Sequence, residues 1–266
     1  MACKSLIISS PTVDIINVDN NEKSCAGGPP LYTGFTLRKM DCDVYFFGPI
    51  GYETKKTVKI QEMLGINTLG IFQDVRGAIF YHKYEDNYRI TKFIGEIKTI
   101  SIDELKNMLS KTKYDILIIS PIFNEIPPDY IKELHKPITL DPQGYTRALK
   151  NWTKLIPINN IDLIHLSNDD LSLNEIKNIE LGNATLIYTM GMQNTIIISK
   201  NKKIEIKPKG NLVKDRTGAG DIITGLVSYY YLYEKRDILD SYYMAQKQFE
   251  KLIKEVSEIK YKINEM

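Results

Sequence analysis

The sequence holds only three cysteines, Cys3, Cys25 and Cys42, an odd number with no C-x-x-C spacing. That argues against a disulfide framework or a structural zinc site, and a reducing cytoplasm is the expected setting. No stretch approaches the ~18 consecutive apolar residues of a membrane span. The opening "MACKSLIISS" has one lysine and a short apolar run that reads as a strand, so neither export nor membrane insertion is expected. An excess of one charge is also lacking. With 35 Lys and Arg against 33 Asp and Glu, the formal charge of +2 gives no electrostatic case for nucleic acid or an anionic membrane as partner. No G-x-x-x-x-G-K-[ST] string occurs, which excludes a Walker-type phosphate loop. No repeat or low-complexity linker divides the chain, so residues 1–266 are expected to form one domain.

What is present alternates between strand and helix patterns. "SLIIS" (residues 5–9) and "DVYFFG" (residues 43–48) read as buried strands, and "TKKTVKIQEMLG" has helical spacing with a stop at Gly65. Ser101, with Glu104 three residues on, forms a capping box that opens a helix. "YDILIIS", "PITLD", "IDLIHLS" and "ATLIYTMG" read as strands, "PPDYIKELH" and residues 171–179 as helices, and residues 195–208 as a hairpin turning at 201–203. Two helices close the chain, over residues 218–233 and 238–259. This order predicts a three-layer α/β fold with a mostly parallel sheet covered on both faces. "GAIFYHKY" and "YRITKF", flanking Glu85, Asp86 and Asn87, alternate apolar and polar residues and break that order. They read as a hairpin with one exposed or ligand-facing side, assigned to a small β lid.

The string "KDRTGAGD" (residues 214–221) stands between a strand-like run and a long apolar helix. Gly218, Ala219 and Gly220 let backbone N–H groups approach a ligand closely, and at a helix start those groups are unpaired and the dipole is positive. A phosphoryl group in transfer fits such a site. Asp221, one step into the helix, is placed to take a proton from an attacking hydroxyl. The rival reading is a polar turn in which Asp221 is only a favourable N-terminal charge.

"DRTGAGD" resembles the D-T-x-G-A-G-D signature of the PfkB/ribokinase family of small-molecule kinases, and the chain's other features resemble that family in order over nearly its whole length. The resemblance implies a ribokinase-like fold with a lid from roughly residues 11–40 and 70–97, Asp221 as catalytic base, and the amides of Gly218, Ala219 and Gly220 as anion hole. "LIISSPTVDII" looks like the family's first strand and loop, whose Asp, here Asp14, binds substrate hydroxyls. "AGGPPLYTG" resembles its Gly-Gly motif, with Gly27 and Gly28 beside the substrate and Tyr32 where an Asn is usual. "TLDPQGYTR" puts Asp141 at a strand end, followed by Gln143 and Arg147, and looks like the D-x-Q-G-x-x-R of small archaeal members, some of them inositol kinases. "HLSNDDL" stands in place of the metal-ordering N-x-x-E, with Asp170 in the acidic place. "YTMGMQN" resembles the T-x-G-x-x-G nucleotide loop, with Thr189 and Gly191 matching. Thr217, Gly218 and Gly220 complete the implied nucleotide side.

The implied activity moves the γ-phosphoryl of ATP, with Mg²⁺, to a hydroxyl of a sugar or inositol, and the family's lids often pair into homodimers. Tyr32 points toward a nucleoside or hydroxymethylpyrimidine-type kinase as an alternative. The altered metal and nucleotide motifs leave room for a non-catalytic sugar- or nucleotide-sensing homologue.

Overall fold

The computed structural model describes residues 2–18, 20–85, 88–191, 193–200, 202–207 and 216–265, with the side chains of residues 84, 85, 88 and 89 left out. The hairpin tip at Asp86 and Asn87, the turn residue Asn201, and Lys214 and Asp215 of the glycine motif lie outside the described residues.

The strands are β1 (Lys4–Ile8), β2 (Thr12–Val18), β3 (Asn21–Gly27), β4 (Asp43–Phe47), β5 (Pro49–Ile50), β6 (Ile66–Thr68), β7 (Ile71–Phe72), β8 (Ala78–Glu85) and β9 (Tyr88–Phe93). They continue with β10 (Ile116–Ile119), β11 (Ile138–Leu140), β12 (Leu163–Ser167), β13 (Thr185–Thr189), β14 (Thr195–Ser199) and β15 (Lys202–Ile206). The α-helices are α1 (Pro29–Lys39), α2 (Lys55–Met63), α3 (Ile102–Lys111), α4 (Gln143–Ala148), α5 (Leu173–Ile176), α6 (Ala219–Val227) and α7 (Ile238–Ile259).

Nine strands form the main sheet in the order β15-β14-β13-β12-β11-β10-β1-β4-β6. From β13 to β6 every pairing is parallel, and the β13–β14 and β14–β15 pairings are antiparallel, so β14 alone runs against the others. A parallel sheet is covered on both faces, so successive side chains must both be apolar. Strand β10 shows this directly. Ile116 and Ile118 join the cluster under α1, α2, α6 and α7, while Leu117 and Ile119 join the cluster under α3, α4 and α5. Each such side chain contributes about 1.5–3 kcal/mol of burial energy.

Strands β2, β3, β8 and β9 form a separate four-stranded sheet in the order β3-β2-β8-β9. It meets the main domain through Phe93, which stacks on Phe123 with ring centroids 5.0 Å apart, and through the Thr57 hydroxyl, which donates to the Thr12 carbonyl at 2.8 Å. The small sheet ends at Gly27, and residues 29–39, expected within the lid, form α1 in the core layer. Pro29 and Pro30 occupy the first helical positions, where a missing N–H costs nothing and the fixed φ suits the helix. "PPDYIKELH" contains a 3₁₀ helix (Pro128–Glu133) instead of an α-helix. The helix expected over residues 171–179 is shortened to α5, which starts at the capping box Ser172/Glu175. The final turn of the helix expected to reach residue 233 is a π-helical stretch, Ser228–Tyr233. No helix among the described residues is long and apolar enough to cross a membrane.

Candidate active site

The glycine motif enters α6 through Gly218, which caps the helix in the left-handed region at φ 84°. A Cβ there would lie 2.3 Å from Cγ and Cδ1 of Tyr32, so the turn is seated on that ring. Tyr32 itself is 1 % exposed in the core cluster. Its ring therefore lies beneath the turn. The amide of Ala219 donates to the Arg216 carbonyl at 3.0 Å and closes the turn. The amides of Gly218 and Gly220 donate to no acceptor among the described residues. Of the three amides expected to face an anion, Ala219's is thus already committed.

Asp221 is 9 % exposed. Its Oδ1 accepts from Nε2 of Gln143 at 3.3 Å, and its backbone carbonyl accepts from the Thr33 hydroxyl of α1 at 3.0 Å. Burial, reinforced by the charge of Asp141, pushes its carboxyl well above the usual carboxylate range; Arg147 opposes this, Asp14 adds to it, and Gln143 opposes it. Gln143 and Arg147 lie one turn apart on α4, and Arg147 Nη2 donates to Gln143 Oε1 at 3.0 Å. Arg147 Nη1 donates to the Ile122 carbonyl at 3.3 Å, and its guanidinium stands 5.4 Å from the ring centre of Phe80 in the small sheet. The arginine therefore links the loop at Ile122, the side-chain amide that holds Asp221, and the small sheet.

Asp14 lies within β2, 3 % exposed, and its Oδ1 accepts from the Thr12 hydroxyl at 2.7 Å. Nε2 of His82 in β8 is 3.9 Å from the same oxygen. A Cβ on Gly27 would fall 2.2 Å from Asp14 Oδ2, so this glycine leaves room for the carboxylate. Gly28 caps α1 at φ 87°, with the Ser10 carbonyl 2.7 Å from where its Cβ would be. The pair thus shapes Asp14 and starts α1.

On the far side of α6, Thr189 ends β13 and Gly191 follows at φ 59°. Arg216 Nη1 is 3.5 Å from the Cβ position of Gly191, which brings this loop beside the α6 turn, and Thr217 between them is buried. Asp170 is turned inward: its Oδ2 accepts from the backbone N and the hydroxyl of Ser167 at 2.9 and 2.6 Å. Burial and the charge of Asp141 raise its carboxyl. Among the described residues no group of three His, Cys, Asp or Glu side chains is placed to hold a metal ion.

Three residues near this cluster are absent from the sequence reading of the site. Glu125 is wholly buried; its two oxygens accept from Ile122 N at 2.9 Å and Phe123 N at 3.0 Å, and the Ser10 hydroxyl is 3.4 Å away. It fixes the loop that meets Arg147 and Phe93. His165 lies beneath the first turns of α6 and is joined to Thr224 on that helix by a 2.8 Å hydrogen bond. The one available signal is a polar residue inside an otherwise apolar run, as in "IDLIHLS" and "PIFNEI".

No protein-family model and no curated protein matches the chain. Among solved structures it is similar to a pyrophosphate-dependent kinase of the ribokinase family complexed with a pyrophosphate analog and myo-inositol, at 16% identity and TM-score 0.75, covering 91% of this chain and 92% of that one. It is similar to the ribokinase of Thermotoga maritima at 17% identity and TM-score 0.72, over 92% and 91% of the two chains. A sugar kinase from Pyrococcus horikoshii in complex with ATP gives 15% identity and TM-score 0.75, over 91% and 90%. These likenesses establish the architecture: the chain has the ribokinase-like fold.

Proposed function

We propose that this chain is a carbohydrate kinase, an ATP-dependent phosphotransferase that moves the γ-phosphoryl group to a hydroxyl of a small polyol, a sugar or an inositol. The observation that carries the reading is the setting of Asp221. A buried carboxyl on the first turn of a helix, beside two uncommitted glycine amides, held by Gln143 and faced by Asp14, combines a base, an anion hole and a hydroxyl acceptor.

In this mechanism Asp14 accepts hydrogen bonds from the acceptor's hydroxyls and orients one of them toward Asp221. Asp221 takes that hydroxyl's proton as the oxygen attacks the γ-phosphorus, and a raised carboxyl is the stronger base for that step. The amides of Gly218 and Gly220 stabilise charge on the phosphoryl oxygens in transfer, with Arg147 as a further cation for the same oxyanion. Thr189, Gly191 and Thr217 form the donor's side. Closure of the small sheet onto Phe123 and Arg147 excludes water that would hydrolyse the donor. Mg²⁺ suits this donor set as an ion carried on the phosphates, and Asp170 is the residue that would hold it through water. When bound, the ion neutralises charge between the phosphates. A homodimer through the lids belongs to the same reading.

One other donor has specific support. The similar structure complexed with myo-inositol is of a pyrophosphate-dependent kinase. A screen of polyols, sugars, inositols and nucleosides, run with ATP and with pyrophosphate and read by ADP or phosphate release, tests the proposal. Release that depends on a polyol supports it. Tight donor or polyol binding with no release in any combination would favour the sensing homologue.

A further inference from the structure

We propose that His165 is a positioning residue that ties the donor loop after β13 to the first turns of α6 through its two ring nitrogens. This rests on the reading of the α6 turn as the phosphoryl site and goes beyond it, since no role so far requires this histidine.

His165 lies on β12, on the same face as Leu163, and is 3 % exposed. A buried imidazole is costly unless both nitrogens are hydrogen-bonded. Here Nδ1 is 2.8 Å from the Thr224 hydroxyl on α6, and Nε2 is 3.2 Å from the Thr189 hydroxyl at the end of β13. Thr224 Oγ1 in turn lies 3.1 Å from Asp141 Oδ2, which is also 3.5 Å from Nδ1.

The chain of partners fixes the direction at Nδ1. A carboxylate only accepts, so Thr224 donates to Asp141 and accepts from Nδ1–H. Nε2 and the Thr189 hydroxyl form the second bond, and that hydroxyl also lies 3.5 Å from the Leu166 carbonyl. The ring's Cε1 stands 3.4 Å from where a Cβ on Gly220 would be, so the imidazole packs directly under the turn. Satisfying a core histidine needs no more than two nearby groups. These partners instead lie on three separate elements, and each element also carries a site residue. Asp141 Oδ1 accepts from the backbone N–H of Gln143 at 3.3 Å, α6 carries Asp221, and β13 leads into Gly191. The ring is the member that all three share.

The two links separate by substitution, because an asparagine amide overlays Nδ1 and a glutamine amide overlays Nε2. His165→Asn keeps the bond toward Thr224 and loses Thr189. His165→Gln does the reverse. Donor affinity is measured by calorimetry with AMP-PNP and Mg²⁺ and with methylenediphosphonate, using whichever the wild type binds, and kcat by product release. His165→Asn is expected to weaken donor binding about two- to tenfold, the range of one hydrogen bond, with kcat within about threefold. His165→Gln is expected to keep donor affinity and lower kcat about tenfold or more. Thr189→Val breaks the donor-side link without altering the ring, and the double variant with His165→Asn should bind donor no worse than the weaker single variant.

Equal changes in both parameters for both histidine variants, or additive losses in the double variant, would overturn the inference. Asp221→Asn, measured in parallel, keeps the two readings apart. If it turns over normally, or if the wild type binds neither donor analogue, the phosphoryl site itself is wrong. If it is inactive while the histidine variants fail to separate, only the role of His165 is wrong.

Discussion

Replacing Gly218 by alanine puts a methyl group into space already filled by the ring of Tyr32. The new carbon would lie 2.3 Å from Cγ and Cδ1 and 2.6 Å from Cε1. These are rigid ring atoms of a residue that is 1 % exposed, so no flexible side-chain end can move aside. The backbone at φ 84° adds about 1–2 kcal/mol for a residue bearing a Cβ. Overpacking of this kind costs a further ~1–3 kcal/mol. The sum, roughly 2–5 kcal/mol, corresponds to a fall in Tm of roughly 5–15 °C for a chain of this size. Gly220, two residues on, is the control. A Cβ there meets only His165 Cε1, at 3.4 Å, and its φ is not in the left-handed region. Gly220→Ala should therefore keep Tm within about 2 °C or raise it, since alanine is the better helix former by up to ~1 kcal/mol. Calorimetric melts of both variants, repeated in a Tyr32→Ala background, separate the causes. In that background Gly218→Ala should cost only the ~1–2 kcal/mol of backbone strain. Equal Tm values for the two glycine variants, or an undiminished cost without the tyrosine ring, would refute the seating of the turn on Tyr32.

The raised carboxyl of Asp221 sets a pH dependence. Turnover should fall as pH drops through a limb lying above the ordinary carboxylate range, and Arg147→Met, which removes a cation opposing the shift, should move that limb to higher pH. The same residue contributes stability that is full below the unfolded carboxylate pKa and is lost as pH rises through its folded pKa. Asp221→Asn should thus raise Tm at pH 8 and leave it little changed at pH 4. Glu125→Ala leaves the amides of Ile122 and Phe123 without acceptors, at ~1–3 kcal/mol each, and should lower stability in urea melts by roughly 2–5 kcal/mol. Gly27→Ala drives a methyl group to within 2.2 Å of Asp14 Oδ2 and should raise the acceptor's KM at least about tenfold while donor binding holds.

Local chemistry made part of this site readable from sequence. A glycine pair and a carboxylate at the start of an apolar helix imply an exposed amide turn, and that turn opens α6. The buried sheet was readable because parallel strands need apolar residues on both faces, as in "ILII" of β10. The seating of the turn on Tyr32 was not readable, because the register of α1 against α6 is set by tertiary packing, through Gly225 beside Thr36 and the Thr33 hydroxyl on the Asp221 carbonyl. Glu125 and Thr224 were missed for a related reason. A single polar residue in an apolar run looks alike whether it is a satisfied core group or a strut, and only the partners on other elements distinguish them. The lid boundary failed at Pro29 and Pro30, which read equally as a rigid turn and as a helix start.

Turnover of Asp221→Asn, set against its donor affinity, tests the central claim most directly. With ATP or pyrophosphate and the acceptor that gives the fastest wild-type release, the variant should lose at least about a hundredfold in kcat while binding the donor nearly as tightly as the wild type. Near-normal turnover would contradict the account, because another group would then be accepting the proton.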